Sequence, residues 1–481
     1  MNIRNLYRAA VLAFCLTAAA AAQTFTWTTA GQGTLVDEGK SVCIDREGNS
    51  YVTGNFSSAS FRIGKITLRN SSAMSTSMDM FVAKFDPNGT AVWAIQSNGA
   101  GEERGIDIAC DQTGHISVVG VFRGEKATFG PTTLVNQFKF SNSTFIIRIA
   151  PSGEIKWVNR AGGKGDTSVA AVATGADGEI FVTGTFTGGT TFDGFAYQSR
   201  SGNNPTVFVA RYQSDGRLKW FEQIFGTRPG GQRSSQEGKA IAVSPDSQFV
   251  YVAGWFRGLS TFADSQIASN TEPAPSGQRS NIFITKYDAN GNGVWTRHIG
   301  QKQLNNSPDP EVTDIAADPN GGVYLTGYFS GVLLFGQSEL RGNPSKGGWN
   351  HDVFVTRYDA DGINQWYRSA GGANADRAHS IAGFRDGVLI TGQLVGEDIR
   401  FGNIRLTNKN INLFAANYDS AGNCRWAADT RRLVLANGIG IAANETTAVI
   451  TGSFLGRVIE LFGETPIKGT GAGNFFVTGI K

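Results

Sequence analysis

The chain has little of what catalytic and metal-binding sites are usually made from. Histidine, cysteine and methionine each occur only four times in 481 residues. His115, His298, His351 and His379 show neither HxH nor HxxxH spacing, so no zinc site is expected. The sequence has no GxSxG, Walker loop, CxxC or GxGxxG after a parallel strand, which removes the sequence grounds for the common hydrolase, nucleotide-binding and redox chemistries. Net charge is only +3 with both signs interspersed, so there is no basic stripe and no nucleic-acid partner is expected. Helix-favouring stretches are few. Past the first 22 residues no apolar run is long enough to span a membrane as a helix.

Residues 1–22 read as a secretory signal. Arg4 and Arg8 form its positive start, Ala9 to Leu16 its apolar core, and Ala20-Ala21-Ala22 supply small residues before Gln23. Phe14 precedes Cys15, where a lipoprotein signal needs a small residue. The protein is therefore expected to be exported, as a periplasmic, cell-surface or secreted chain with one domain over 23–481. Export leaves Cys43, Cys110 and Cys424, an odd and sparse set that does not make a disulfide framework. Cys43 and Cys110 fall one register position apart on strands of adjacent repeats. Their side chains are expected to point to opposite faces and to act as small buried apolar groups.

Glycine is abundant, with 62 residues, and it punctuates a repeat. The clearest copy runs from Asp79 to Trp93. Phe81, Ala83 and Phe85 alternate with Val82 and Lys84 as in a pleated strand, Asp86-Pro87-Asn88-Gly89 is turn chemistry, and Trp93 anchors the returning strand. Asn281 to Trp295 and Asp352 to Trp366 repeat it, and weaker copies end at Trp157, Trp220 and Trp426. Two further parts recur seven times. One is a strand of small residues, as in Ile315-Ala316-Ala317 and Ile381-Ala382-Gly383, which belongs at the most crowded place beside an axis. The other is a strand such as Tyr51-Val52-Thr53-Gly54-Asn55-Phe56. A short excursion marked by pairs such as Phe129-Gly130 and Phe335-Gly336 precedes the third strand.

Four strands per repeat and seven repeats predict an all-β, seven-bladed β-propeller of four-stranded antiparallel blades. The last repeat ends after its third strand, and Phe25-Thr26-Trp27-Thr28-Thr29 match the missing fourth. The N-terminal strand is expected to complete the last blade and cover its edge.

Asp-Val-Phe-Val-Thr-Arg-Tyr-Asp-Ala-Asp-Gly at 352–362 with Trp366, and Val-Tyr-Leu-Thr-Gly-Tyr-Phe at 323–329, resemble the SBBP-type β-propeller repeats of bacterial exported and cell-surface proteins. The resemblance covers nearly the whole chain after the signal. It implies a scaffold and names no shared catalytic motif.

Connectivity puts the tight turns on one face, the bottom, and the blade-to-blade connections on the other. The top also carries the least regular segments, 226–237, 268–281, 301–311 and 341–351, and binding residues concentrate on such loops. Ligand-binding candidates there are Trp349, His351, Glu237, Glu311 and Asp376. Acids precede most inner strands (Asp37, Glu38, Glu102, Glu103, Asp166, Glu237, Glu311, Asp376), with Lys40, Arg104, Lys239 and Arg377 interleaved to pair with them. The column Lys84, Arg148, Arg211, Lys286 and Arg357 is expected to lay its stems on neighbouring sheets and pair locally. No cofactor is expected. The best calcium-like turn, Asp359-Ala360-Asp361-Gly362, lacks the glutamate and spacing of an EF-hand. The expected function is a non-enzymatic, monomeric scaffold that binds a protein or glycan at the cell surface. The alternative is a polysaccharide-acting hydrolase or lyase with its site at the top of the channel.

Overall fold

The hairpin turns carry their own hydrogen bonds. Asp86 Oδ1 accepts from the backbone N–H of Asn88 and Thr90, and the Gly89 N–H closes the turn on the Asp86 carbonyl at 2.9 Å. Gly89 takes φ +78°, which suits glycine. Asp288, Asp359 and Asp419 repeat the arrangement, so these aspartates are occupied as turn caps. Between the turns the alternating residues pair in register: Asp37–Ile44 with Ser50–Phe56, that with Asp79–Phe85, and that with Ala91–Gly99.

The structure is a computed structural model. It describes residues 24–481 apart from 73–76, 203, 227–233, 264, 270–279, 303–307, 345–349, 408–410, 431–434, 457, 463–465 and 470–472. The expected signal peptide lies outside these residues. Seven four-stranded antiparallel blades surround a channel, and the described residues contain no helix. Phe25–Gln32 is the outer strand of the seventh blade, where Trp27 opposes Gly479 and Thr28 opposes Thr478. The ring closes as the sequence predicts.

The excursion is a hairpin that crosses a blade junction. In repeat 2, Lys126–Phe129 and Thr132–Val135 pair with each other and extend the sheet of blade 1, with Ala127 opposite Gly99. Phe129 meanwhile packs on Phe145 of its own blade, with ring centroids 4.6 Å apart. Among the described residues, six sheets are lengthened to six strands in this way, and blade 6 has four. The core is likewise shared: Tyr51 and Val82 of blade 1 pack with Val118, Phe145 and Ile147 of blade 2.

The bottom face repeats one latch. The indole N–H of Trp93 donates to the Pro151 carbonyl in the turn of the next blade at 3.1 Å. Trp157, Trp220, Trp295 and Trp366 do the same to Ser214, Ala289, Ala360 and Ser420. Each ring lies against the glycine of that turn, and a Cβ on Gly362 would stand 2.8 Å from the Trp295 ring. Asn159, Arg297 and Arg368 add hydrogen bonds to the same turns, and Thr29 of blade 7 donates to the Gly89 carbonyl in the turn of blade 1. The cation column lies beside these latches, with Arg148, Arg211 and Lys286 buried and Lys84 and Arg357 half-buried. Arg148 pairs with Asp111, Arg211 with Glu179 and Arg357 with Asp318, while Lys286 donates to the Ala360 carbonyl at 2.9 Å and lies 3.9 Å over the Phe249 ring.

Two expectations need correction. Cys43 and Cys110 form a disulfide, with Cα atoms 5.8 Å apart. They do point to opposite faces of their own sheets, but blades stack face to back. Cys43 therefore looks toward blade 2 and Cys110 back toward blade 1, and the one-position offset brings the sulfurs together. Secondly, the small-residue strands are innermost, but their lower ends are not all crowded. Ala109, Ala173, Ala382 and Ala442 are half-buried and help line a cavity of about 300 Å³ around the axis, whereas Ala316 is buried.

Candidate ligand-binding site

Every inner strand carries a β-bulge near its upper end, as between Gly238 and Ala240 in blade 4 and between Val312 and Asp314 in blade 5. The bulge makes the strand bend and leaves the extra residue unpaired in the ladder. In blade 4 that residue is Lys239. Its ammonium lies 2.9 Å from Glu237 Oε1 and 3.1 Å from Glu311 Oε1, bridging the inner strands of blades 4 and 5. Burial alone would lower the Lys239 pKa. The Glu311 and Glu237 carboxylates override it and hold the ammonium above its usual range.

The remaining carboxylate oxygens are taken by aromatic donors. Trp255 Nε1 donates to Glu237 Oε2 at 3.1 Å, and the Tyr328 hydroxyl donates to Glu311 Oε2 at 2.5 Å. Burial and then the Glu311 carboxylate push the Tyr328 phenol up, so it stays a donor. Arg377 sits 5.0 Å over the Tyr328 ring and reaches His351 Nδ1 at 3.4 Å. His351 stands edge-on to Tyr328 with centroids 5.0 Å apart. Its pKa is pushed down to about 4 by burial and by Arg377, which leaves the imidazole neutral. The result is one continuous chain of side chains over blades 4 to 6.

Asp376 is placed differently from the other candidates. It is fully buried, accepts from the N–H groups of Gly372 and Val395, and faces Asp352 across the junction of blades 5 and 6. Burial, with a further push from Asp352, raises it to about 7. Trp349 lies outside the described residues. Of the other mouth acids, Glu38 pairs with Lys40 at 2.5 Å and Glu102 with Arg104 at 2.8 Å, whereas Asp37 is buried on Ser57 and Ser58, Glu103 is buried beside Asp79, and Asp166 accepts from the Asn142 N–H. Among the described residues no group of three histidine, cysteine, aspartate or glutamate side chains is arranged to hold a metal.

Sequence reading passed over Trp255 and Tyr328, although a signal was present. They occupy the position after the glycine of the second strand. That column reads Asn55, Val121, Thr185, Trp255, Tyr328, Gln393 and Ser453, and is aromatic only in blades 4 and 5.

No family model matches the chain. It is 24% identical over 447 residues to an uncharacterized WD repeat-containing protein, L264, of Acanthamoeba polyphaga mimivirus, covering 78% of this chain and 31% of that protein. It is 32% identical over 203 residues to the regulatory protein FlaEY of Caulobacter vibrioides, covering 41% of this chain and 19% of that protein. The chain thus spans under a third of the length of these curated relatives. Solved structures with similarity include the phage phi92 endosialidase, with TM-score 0.39 and 10% identity over 95% of this chain and 69% of that one. A Synechocystis apocarotenoid oxygenase mutant gives TM-score 0.38 and 10% identity over 94% of this chain and 92% of its own. Fold and repeats together make this a β-propeller repeat protein.

Proposed function

We propose that this β-propeller repeat protein is an exported, non-enzymatic binding module whose partner docks on the top face over blades 4 to 6. The observation that carries the proposal is the Glu237–Lys239–Glu311 bridge flanked by Trp255 and Tyr328. Its two aromatic donors break the repeat at a position where the other blades carry smaller side chains, Asn55, Val121, Thr185, Gln393 and Ser453. The bulge holds it at the channel mouth, and all five side chains are partly open to solvent. Export is supported by the signal-like first 22 residues, by the resemblance of 323–329 and 352–362 to SBBP-type repeats, and by the Cys43–Cys110 disulfide, a bond kept in oxidising compartments.

The second reading, a polysaccharide-acting enzyme, draws on the same two carboxylates. Glycoside hydrolysis generally needs one of the pair protonated as a general acid. Here every carboxylate oxygen of the pair already accepts from Lys239, Trp255 or Tyr328, an arrangement that suits binding better than proton transfer to a ligand.

The test is to immobilise the full chain and challenge it with an extract of the producing cell's envelope. Retention of a component by the wild type, its loss on Glu237→Gln/Glu311→Gln, and release of that component chemically unaltered are expected. Retention unchanged by the double variant sinks the location. A shortened or cleaved component, with cleavage lost in the double variant, transfers the case to the enzyme reading.

A further inference from the structure

We infer that the mouth over blades 4 and 5 is a subsite for a neutral saccharide. This deepens the binding reading above and rests on it. Three features select the chemistry.

The first is charge. Glu237 and Glu311 are balanced by Lys239 and Arg377 within the same cluster, so the mouth has no net field that would select a strongly ionic ligand. The second is the order of the polar atoms. Indole N–H, carboxylate, ammonium, carboxylate and phenol O–H alternate donor and acceptor along one line. A sugar hydroxyl both donates and accepts, so vicinal hydroxyls can bridge neighbouring members of such a line without leaving any of them unpaired. The third is the rings. Trp255 and Tyr328 stand on adjacent blades, are only partly buried and are held by their polar ends; Arg377 lies over the Tyr328 ring, and the Trp255 indole is the stiff aromatic surface left beside the carboxylates. Such a surface suits the C–H face of a pyranose.

Size favours a sugar over a protein. Among the described residues, the bridge, its two aromatic donors and Arg377 are six side chains on neighbouring blades. A stable protein interface needs about 800 Å² on each partner, far more than this patch.

The experiment titrates the full chain with cellohexaose, laminarihexaose, maltoheptaose and mannohexaose. Acidic hexagalacturonate and a basic glucosamine hexamer serve as charged comparators, and calorimetry and tryptophan fluorescence as readouts. At least one neutral probe is expected to bind, more tightly than either charged one. Trp255→Ala should weaken it at least tenfold. Tyr328→Phe, which keeps the ring and removes the hydroxyl that donates to Glu311, should weaken it several-fold with unchanged circular dichroism. Tighter binding of a charged probe, or neutral binding indifferent to both variants, overturns the inference. If no neutral probe binds while an envelope protein is retained and then lost on the same substitutions, the saccharide inference falls and the binding face stands. If nothing sensitive to these substitutions is retained, both fall.

Discussion

On the bottom face, five tryptophans each donate to the turn of the next blade and lie on its glycine, in the same geometry every time. On the top face, equivalent inner-strand positions carry Glu38, Arg104, Ser168, Glu237, Glu311, Arg377 and Asn437, of which Glu237, Glu311 and Arg377 share one network while Glu38 and Arg104 pair within their own strands. Repetition at the bottom supplies the same latch energy at five junctions, since a repeat ring is held by its neighbour contacts. The top is thereby free to vary from blade to blade. The division makes a demand that can be tested: damage to a latch or junction should cost stability, and damage to the mouth should not.

The largest effect is expected from removing residues 23–31. That deletes most of the outer strand of blade 7, bares the edge of Asn474–Ile480 and strips the support of the Ser60–Ile63 hairpin. Size-exclusion chromatography should show aggregation. A monomeric deletion variant with unchanged melting would refute the closure. Next comes the Cys43–Cys110 crosslink, which closes a loop of 67 residues between the innermost strands. The Cys43→Ala/Cys110→Ala double variant should lose about 2–4 kcal/mol in denaturant titration. Gly362→Val meets both the Trp295 ring and a backbone at φ +74°, and should lose about 3 kcal/mol. Gly336→Val is the control. Its φ is +63°, but nothing lies within 4 Å of its Cβ position, so only the backbone cost of about 1–2 kcal/mol remains. Equal losses at the two glycines would mean that the latch contributes nothing.

The bottom face was legible in the sequence because its signals are local. A turn such as Asp86 to Gly89 and a tryptophan a few residues on lie within one window, and recurrence gave the blade number and the closing strand. What escaped depends on how blades stack. The Cys43–Cys110 bond follows from face-to-back packing, which the parity of a single strand does not reveal. The excursion hairpin pairs with the preceding blade, and nothing in Phe129-Gly130 says which sheet it joins. At the mouth, the acid preceding each inner strand drew attention to Glu237, Glu311 and Asp376, but the strand alone could not say which faced the channel. Asp376 turned into the junction with Asp352, whereas Glu237 and Glu311 met on Lys239.

The upper junctions between blades 1 and 2 and between blades 5 and 6 each hold a buried carboxyl pair, which gives the comparison a pH dependence. Glu103 is fully buried, and burial, followed by Asp79, pushes it up to about 8. Its Oε1 has no donor pointing at it, as expected of a protonated carboxyl that donates to Asp79. Asp376, at about 7, and Asp352, at about 6, are raised first by burial as well. These folded values lie above the unfolded ones, so their stabilising contribution is fully present below about pH 4 and is lost as pH rises through 6 to 8. Chemical denaturation of the wild type should therefore weaken between pH 5 and 9. Glu103→Gln should remove roughly 2–4 kcal/mol of that fall. A fall of the same size in the variant would refute the assignment of the proton to this pair.

The smallest stability effect is expected at the mouth itself. Lys239→Met keeps the stem and removes the ammonium between Glu237 and Glu311. In a buried setting, stripping one partner from an ion pair would cost several kcal/mol. Here the Lys239 side chain is 24% exposed, the glutamates are 38% and 33% exposed, and Trp255 and Tyr328 still donate to them. Water can take the place of the lost ammonium, so the stability change should stay within about 0.5–1 kcal/mol. The local field, by contrast, changes by a full charge and turns a balanced mouth acidic. Binding of a neutral probe should then fall while a basic probe gains. A loss of stability as large as that of Gly362→Val would place Lys239 among the junction supports and end the contrast between the two faces.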